Sequence, residues 1–155
     1  MLKFIKKIDK EEKIDAYILG AGFEGDYTFR SGADVAPDAI MYAFEHCMEI
    51  FDRFTLTEPY NLFDFGYYNL KKVNKNKPEK AIQIIKENLD MMQDKFTVML
   101  GGSHSVSNAA FLSLAQRFDP SEVTILQIDA HPDMRENTED YKPGASKYDH
   151  ACVMR

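Results

Sequence analysis

Cysteine is scarce. The 155 residues hold two, Cys47 and Cys152, far apart and in no Cys-x-x-Cys pair, which argues against a zinc ribbon or a thioredoxin-type centre. A reduced, cytoplasmic setting is the simplest expectation. Basic charge is also short. Lys and Arg number 19 against 25 Asp and Glu, giving a formal net charge of −6. Nucleic acid and anionic lipid need clustered positive surface, so neither is an expected partner, and a small cationic substrate suits the charge better. Long apolar runs are absent as well. The opening MLKFIKKIDKEEKID alternates apolar with charged residues and builds neither a signal peptide nor a membrane span. No low-complexity tract interrupts the chain. With 45% apolar and 12% aromatic residues, it has the composition of a folded globular domain, and its length is that of one domain.

Four short apolar runs, at residues 16–19, 62–65, 96–100 and 123–128, are each closed by glycine or charge and predict buried strands. Helical spacing lies between them. Ile40, Phe44, Met48 and Phe51 predict one amphipathic helix, with Pro37 suited to its first turn. A second begins near Pro78 with Ile82, Ile85, Leu89 and Met92 on one face, and a third covers residues 107–118, stopping before Asp119 and Pro120. Alternating strands and helices predict an α/β fold, a parallel sheet with right-handed crossovers and helices on both faces. The basic run KKVNKNKPEK reads as a solvated connection and carries no function.

The chemistry gathers at the ends of two predicted strands. VTILQI runs straight into Asp129, Ala130, His131, Pro132 and Asp133, and continued extension would point the three polar side chains to one side. Pro132 biases His131 toward extended angles. FTVML runs into Gly101, Gly102, Ser103 and His104 before a helix returns the chain. Carboxyl ends of parallel strands share one edge of the sheet, so His104 and the Asp129 group can meet there. Imidazoles and carboxylates without thiolate suit Mn(II), with Fe, Ni, Co and Zn as competitors. A carboxylate such as Asp129 can bridge two ions about 3.5–4 Å apart, an arrangement suited to hydrolysis. A lone histidine after two glycines is usually a turn residue; the conjunction of both segments is what points to metal.

One competing motif is GAGFEG, in which Gly20, Gly22 and Gly25 match a dinucleotide-binding fingerprint. That fold opens a helix at the glycines, whereas DYTFRSGADVAP intervenes here, and Asp64 lies too far along for a ribose-binding carboxylate. Dinucleotide binding is therefore set aside.

GGSHS, then ILQIDAHPDMRE, then YDHACVMR resembles the arginase and agmatinase superfamily, and FRSGADVAPDAI is similar to that family's entry into its first helix. The resemblance implies the arginase-like three-layer α/β/α fold, with residues 1–155 the amino-terminal portion of one such domain, incomplete on its carboxyl side. It implies two Mn2+ ions, one held by His104, Asp129 and Asp133 and its neighbour by His131 and a bridging Asp129. It implies His150 near the substrate, moving protons to the departing amine. The histidine-alanine stretch at His150 and Ala151 leans toward agmatinase, which hydrolyses agmatine to putrescine and urea; arginine, guanidinobutyrate and formiminoglutamate are nearby substrates. A homo-oligomer is expected for the full-length protein. Ser103 stands where the family usually has an acidic residue, Pro132 and Asp149 replace small hydroxyl residues, and no Asp-x-Asp follows. A noncatalytic module that binds metal or a partner is the alternative, because four side chains cannot close a two-ion site.

Overall fold

A computed structural model of the chain describes residues 2–4, 13–25, 30–47, 51–57, 64–71, 73, 77–140 and 147–155. Its centre is a parallel sheet of β1 (Leu2–Phe4), β2 (Ala16–Ala21), β3 (Phe65–Asn69) and β4 (Phe96–Gly101), in the order β1-β3-β2-β4. Ile18 of β2 lies in register with Tyr67 of β3 and Val98 of β4. Two helices provide crossovers, α1 (Ala36–His46) from β2 to β3 and α2 (Pro78–Met91) from β3 to β4, and α3 (Ser107–Ala115) follows β4.

Successive strand residues face opposite ways, and this divides the layers. Tyr17, Leu19 and Ala21 of β2 point into a core shared with Ile82 and Ile85 of α2 and Ala109 of α3. Burying each of the larger side chains contributes about 1.5–3 kcal/mol. Gly20 points the other way, where a side chain would meet Pro37 of α1 and the Tyr67 hydroxyl. Helices therefore cover both faces, as the alternation predicts. The α2–α3 seam also carries a polar latch: Lys86 Nζ donates to Asp90 Oδ2 and Gln116 Oε1, each at 2.7 Å, and Ser113 Oγ donates to Asp90 Oδ1 at 2.6 Å. On the opposite face Asn69 Nδ2 donates to Asp38 Oδ1 at 2.5 Å and to the Tyr67 hydroxyl at 2.9 Å.

Several sequence expectations shift. The run at 62–65 enters the sheet only at Phe65, and its residues 62 and 63 lie outside the described residues. The short strand β1 is an addition. The expected face of α1 is corrected: Ile40 is 46% exposed, while Pro37 and Met41 are the buried pair. Met48 falls outside the described residues, and Phe51 lies beyond the helix, half exposed. The main correction concerns residues 123–128. They form no ladder with any described residue, and Leu126 and Ile128 are 84% and 94% exposed. Apolar sequence disposes a segment to be a strand, but the strand exists only when a neighbour supplies the ladder.

No helix opens at Gly20 to Gly25; the next described helical turn starts at Ala33. The glycines serve close packing instead. A side chain on Gly22 would collide with the Asp34 carbonyl, and one on Gly102 would lie 2.5 Å from the carbonyl oxygens of Phe23 and Ala33. Ser103 N–H donates to Phe23 O at 2.7 Å, so the loop after β2 braces the loop after β4, where His104 begins.

Candidate metal centre

His104 opens a one-turn 3-10 helix, His104–Val106, directly beyond β4. Ser103 caps that turn by accepting from Ser105 N–H at 3.4 Å. The cap fixes the backbone that carries the imidazole. His104 Nδ1 makes a 2.7 Å hydrogen bond with Asp133 Oδ2 and lies 3.5 Å from Asp129 Oδ2. Among the described residues, His104, Asp129 and Asp133 form a cluster whose potential ligand atoms all lie within 4.8 Å of one another.

The backbone explains which residues converge. The chain bends at Ala130 and His131, and Asp133 then takes a left-handed conformation with φ of 47°. Aspartate adopts this region more readily than most residues, though it still costs about 1–3 kcal/mol. Two hydrogen bonds hold the bend: Met154 N–H donates to Asp133 O at 2.9 Å and Arg135 N–H donates to Ala151 O at 3.0 Å. The turn swings Asp133 under His104 with only 11% of its side chain exposed. His131 stays outside the trio. Its ring is 81% exposed, with Nδ1 4.0 Å from Asp129 Oδ1.

Asp129 is ready to act as an anion. The backbone N–H of His131 donates to its Oδ1 at 2.9 Å and does most to hold its carboxyl below the usual carboxylate range, with the imidazoles of His104 and His131 adding to the effect. Donors about 2.1 Å from an octahedral ion stand about 3 Å apart when adjacent and about 4.2 Å apart when opposite. The 2.7 and 3.5 Å separations suit one such ion after a small spreading. Hard oxygen and imidazole donors without thiolate fit a divalent cation.

His150 begins another short turn, His150–Cys152, capped by the side chain of Asp149. It lines a cleft of about 650 Å³ with His131, Pro132, Asp133, Met134, Arg135 and Ala151. Two sequence-predicted groups, His131 and His150, thus share the cleft beside the trio. Asp149 is the site residue the sequence reading passed over as a local departure. Its signal was present as an acidic residue two positions before the backbone N–H it caps.

The model of the arginase family matches residues 14–155. The chain belongs to the arginase family. It is 31% identical over 141 residues to the N(1)-aminopropylagmatine ureohydrolase of Synechocystis, a match covering 86% of this chain and 43% of that protein. The agmatine ureohydrolase of Thermoplasma volcanium superposes with a TM-score of 0.70 at 25% identity, covering 96% of this chain and 47% of that one. A Trypanosoma cruzi formiminoglutamase variant crystallised with Mn2+ shares the fold at TM-score 0.67 and 19% identity, over 84% of this chain and 44% of that one. The chain therefore spans less than half the length of these relatives. Members of this arginase family are hydrolases. Among the described residues no helix is long and apolar enough to cross a membrane.

Proposed function

We propose that this chain carries the metal-binding part of an agmatinase-type site that hydrolyses agmatine to putrescine and urea. The observation that carries the reading is the meeting of His104 with Asp129 and Asp133 beside a cleft lined by His131 and His150. In this reading His104, Asp129 and Asp133 would hold one ion, and His131 with Asp129 would hold the other. Manganese is the first choice, with Fe, Co, Ni and Zn as alternatives. When bound, the ion pair supplies Lewis acidity and activates water for attack on the guanidinium carbon. The protein side chains orient and move protons. His150 carries a proton to the amine nitrogen as the C–N bond breaks. Hydrolysis consumes one water and leaves urea and a primary amine.

Residues 1–155 are taken as the amino-terminal part of one ureohydrolase domain, acting in the cytoplasm, in a homo-oligomer at full length and without nucleic acid or membrane. Agmatine is preferred because the ureohydrolases of Synechocystis and Thermoplasma volcanium are named for it or for an aminopropyl derivative. The test is manganese-dependent urea release from agmatine, arginine and guanidinobutyrate by the chain supplied with the rest of its relatives' length. Agmatine should be the best substrate, and His131→Ala should abolish release. Full activity in that variant would remove His131 from the site. A second reading, a noncatalytic metal- or partner-binding module, is favoured by the exposure of His131 and by a trio that leaves an ion coordinatively unsaturated. Tight stoichiometric metal with no amine released from any guanidino substrate would establish it.

A further inference from the structure

The side chain of Asp149 is fully buried, an unusual place for a carboxylate unless it is engaged. Its Oδ1 accepts the Ala151 N–H at 2.9 Å and so fixes the turn that starts at His150. The same oxygen lies 3.2 Å from His150 Nδ1. His150 is 31% exposed and lines the cleft, so one side of its ring faces a buried acid while part of the ring opens to the substrate space. An imidazole carries its neutral-state hydrogen on either nitrogen, and the neighbour of one nitrogen decides the state of the other. At 3.2 Å an anionic oxygen repels a bare Nδ1 lone pair and attracts an Nδ1–H.

We infer that Asp149 is a positioning residue for His150, holding the hydrogen on Nδ1 and leaving Nε2 bare as the proton-carrying atom of the cleft. Free imidazole side chains favour the opposite tautomer, with hydrogen on Nε2, so the buried carboxylate reverses the default. The consequence for catalysis rests on the ureohydrolase reading; the geometry does not. In that reaction the bare Nε2 takes a proton from the attacking water as the C–O bond forms. It passes that proton to the departing nitrogen as the C–N bond breaks, and the ring ends as it began.

Nitrogen-15 NMR of the histidine-labelled, metal-free chain tests the assignment, at about pH 8.5 where an ordinary histidine is neutral. The expected result is a protonated, pyrrole-like Nδ1 and a bare, pyridine-like Nε2 at His150. Asp149→Ala removes the oxygen that faces Nδ1 and should return the hydrogen to Nε2, the default of a free imidazole, with the backbone spectrum reporting whether the fold survives loss of the cap. Hydrogen on Nε2 in the native chain, or an unchanged tautomer in a folded Asp149→Ala, would overturn the inference. If the variant does not fold, the native spectrum still decides. In the assembly that releases urea, Asp149→Ala should lower kcat by about 10–100-fold with little change in KM. Absence of urea release alongside the Nδ1–H tautomer would count against the agmatinase reading and leave the positioning of His150 standing.

Discussion

Asp133 joins two roles in one residue, a left-handed backbone and a carboxylate bonded to His104. Asparagine tolerates the same backbone, so Asp133→Asn separates charge from shape. It should weaken Mn2+ binding by more than about tenfold in titration calorimetry, since a neutral amide is a poorer ligand for a hard cation, while far-UV circular dichroism stays unchanged. Undiminished binding would exclude Asp133 as a ligand. The two cysteines should also part company. Burial, and then the negative charge of Asp149, push the Cys152 thiol up, whereas Cys47 is exposed. Iodoacetamide at neutral pH should modify Cys47 well before Cys152, as peptide mapping would show. At this scale the meeting of Asp129, Asp133 and His104 was legible, because Asp129 and Asp133 are close in sequence and His104 directly follows the strand β4. The exposure of His131 was hidden, since the chain bends at Ala130 and His131, with the His131 N–H turned onto Asp129 Oδ1, where period-two reasoning assumes continued extension.

Between elements, two polar latches couple stability to pH in opposite directions. Tyr67 and Asn69 on β3 face Asp38 on α1. Burial first, and the charge of Asp38 second, push the Tyr67 phenol up to about 12. A raised folded value means that the stabilisation is fully present below the ordinary tyrosine value of about 10 and is lost as pH climbs through the folded one. Tyr67→Phe should flatten the alkaline limb of urea-unfolding stability between about pH 10 and 12. Asp90 on α2 behaves in reverse. Burial would raise its carboxyl, but hydrogen bonds from Lys86 and Ser113 outweigh burial and hold it below the usual range. Its contribution is present above the ordinary aspartate value near 4 and is lost as pH falls through the folded one. Asp90→Asn should cost about 1–2 kcal/mol at neutral pH, allowing for partial solvent exposure, and less in acid. Equal losses at both pH values would show that the latch works without its charge. Helix α2 was legible because Ile82, Ile85 and Met92 recur on one face and that face is the one buried. The face of α1 was not, since its apolar residues run all around and only the strand beneath selects Pro37 and Met41.

For the molecule as a whole, the parallel sheet and its two helical layers followed from alternation, but the fate of residues 123–128 did not. Their pattern is that of a strand, yet they pair with no described residue although β4 stands at the edge of the sheet. Phe96 and Val98 on the edge strand β4 are 74% and 39% exposed, and Ile125, Leu126 and Ile128 add more bare apolar surface. The isolated chain should therefore self-associate at micromolar concentrations in sedimentation velocity, and the double change Val98→Lys with Leu126→Lys should shift it toward monomer. A native chain that stays monomeric would argue that these surfaces cover one another in solution. The trio has a further consequence at this scale. His104 and Asp133 are 29 residues apart, so an ion shared between them ties two distant stretches into a closed loop. If the trio binds Mn2+ as proposed, folding and ion concentration become one equilibrium: about a hundredfold excess of free Mn2+ over its dissociation constant should add about 2.7 kcal/mol to stability, making the melting temperature a gauge of how much metal the surroundings supply.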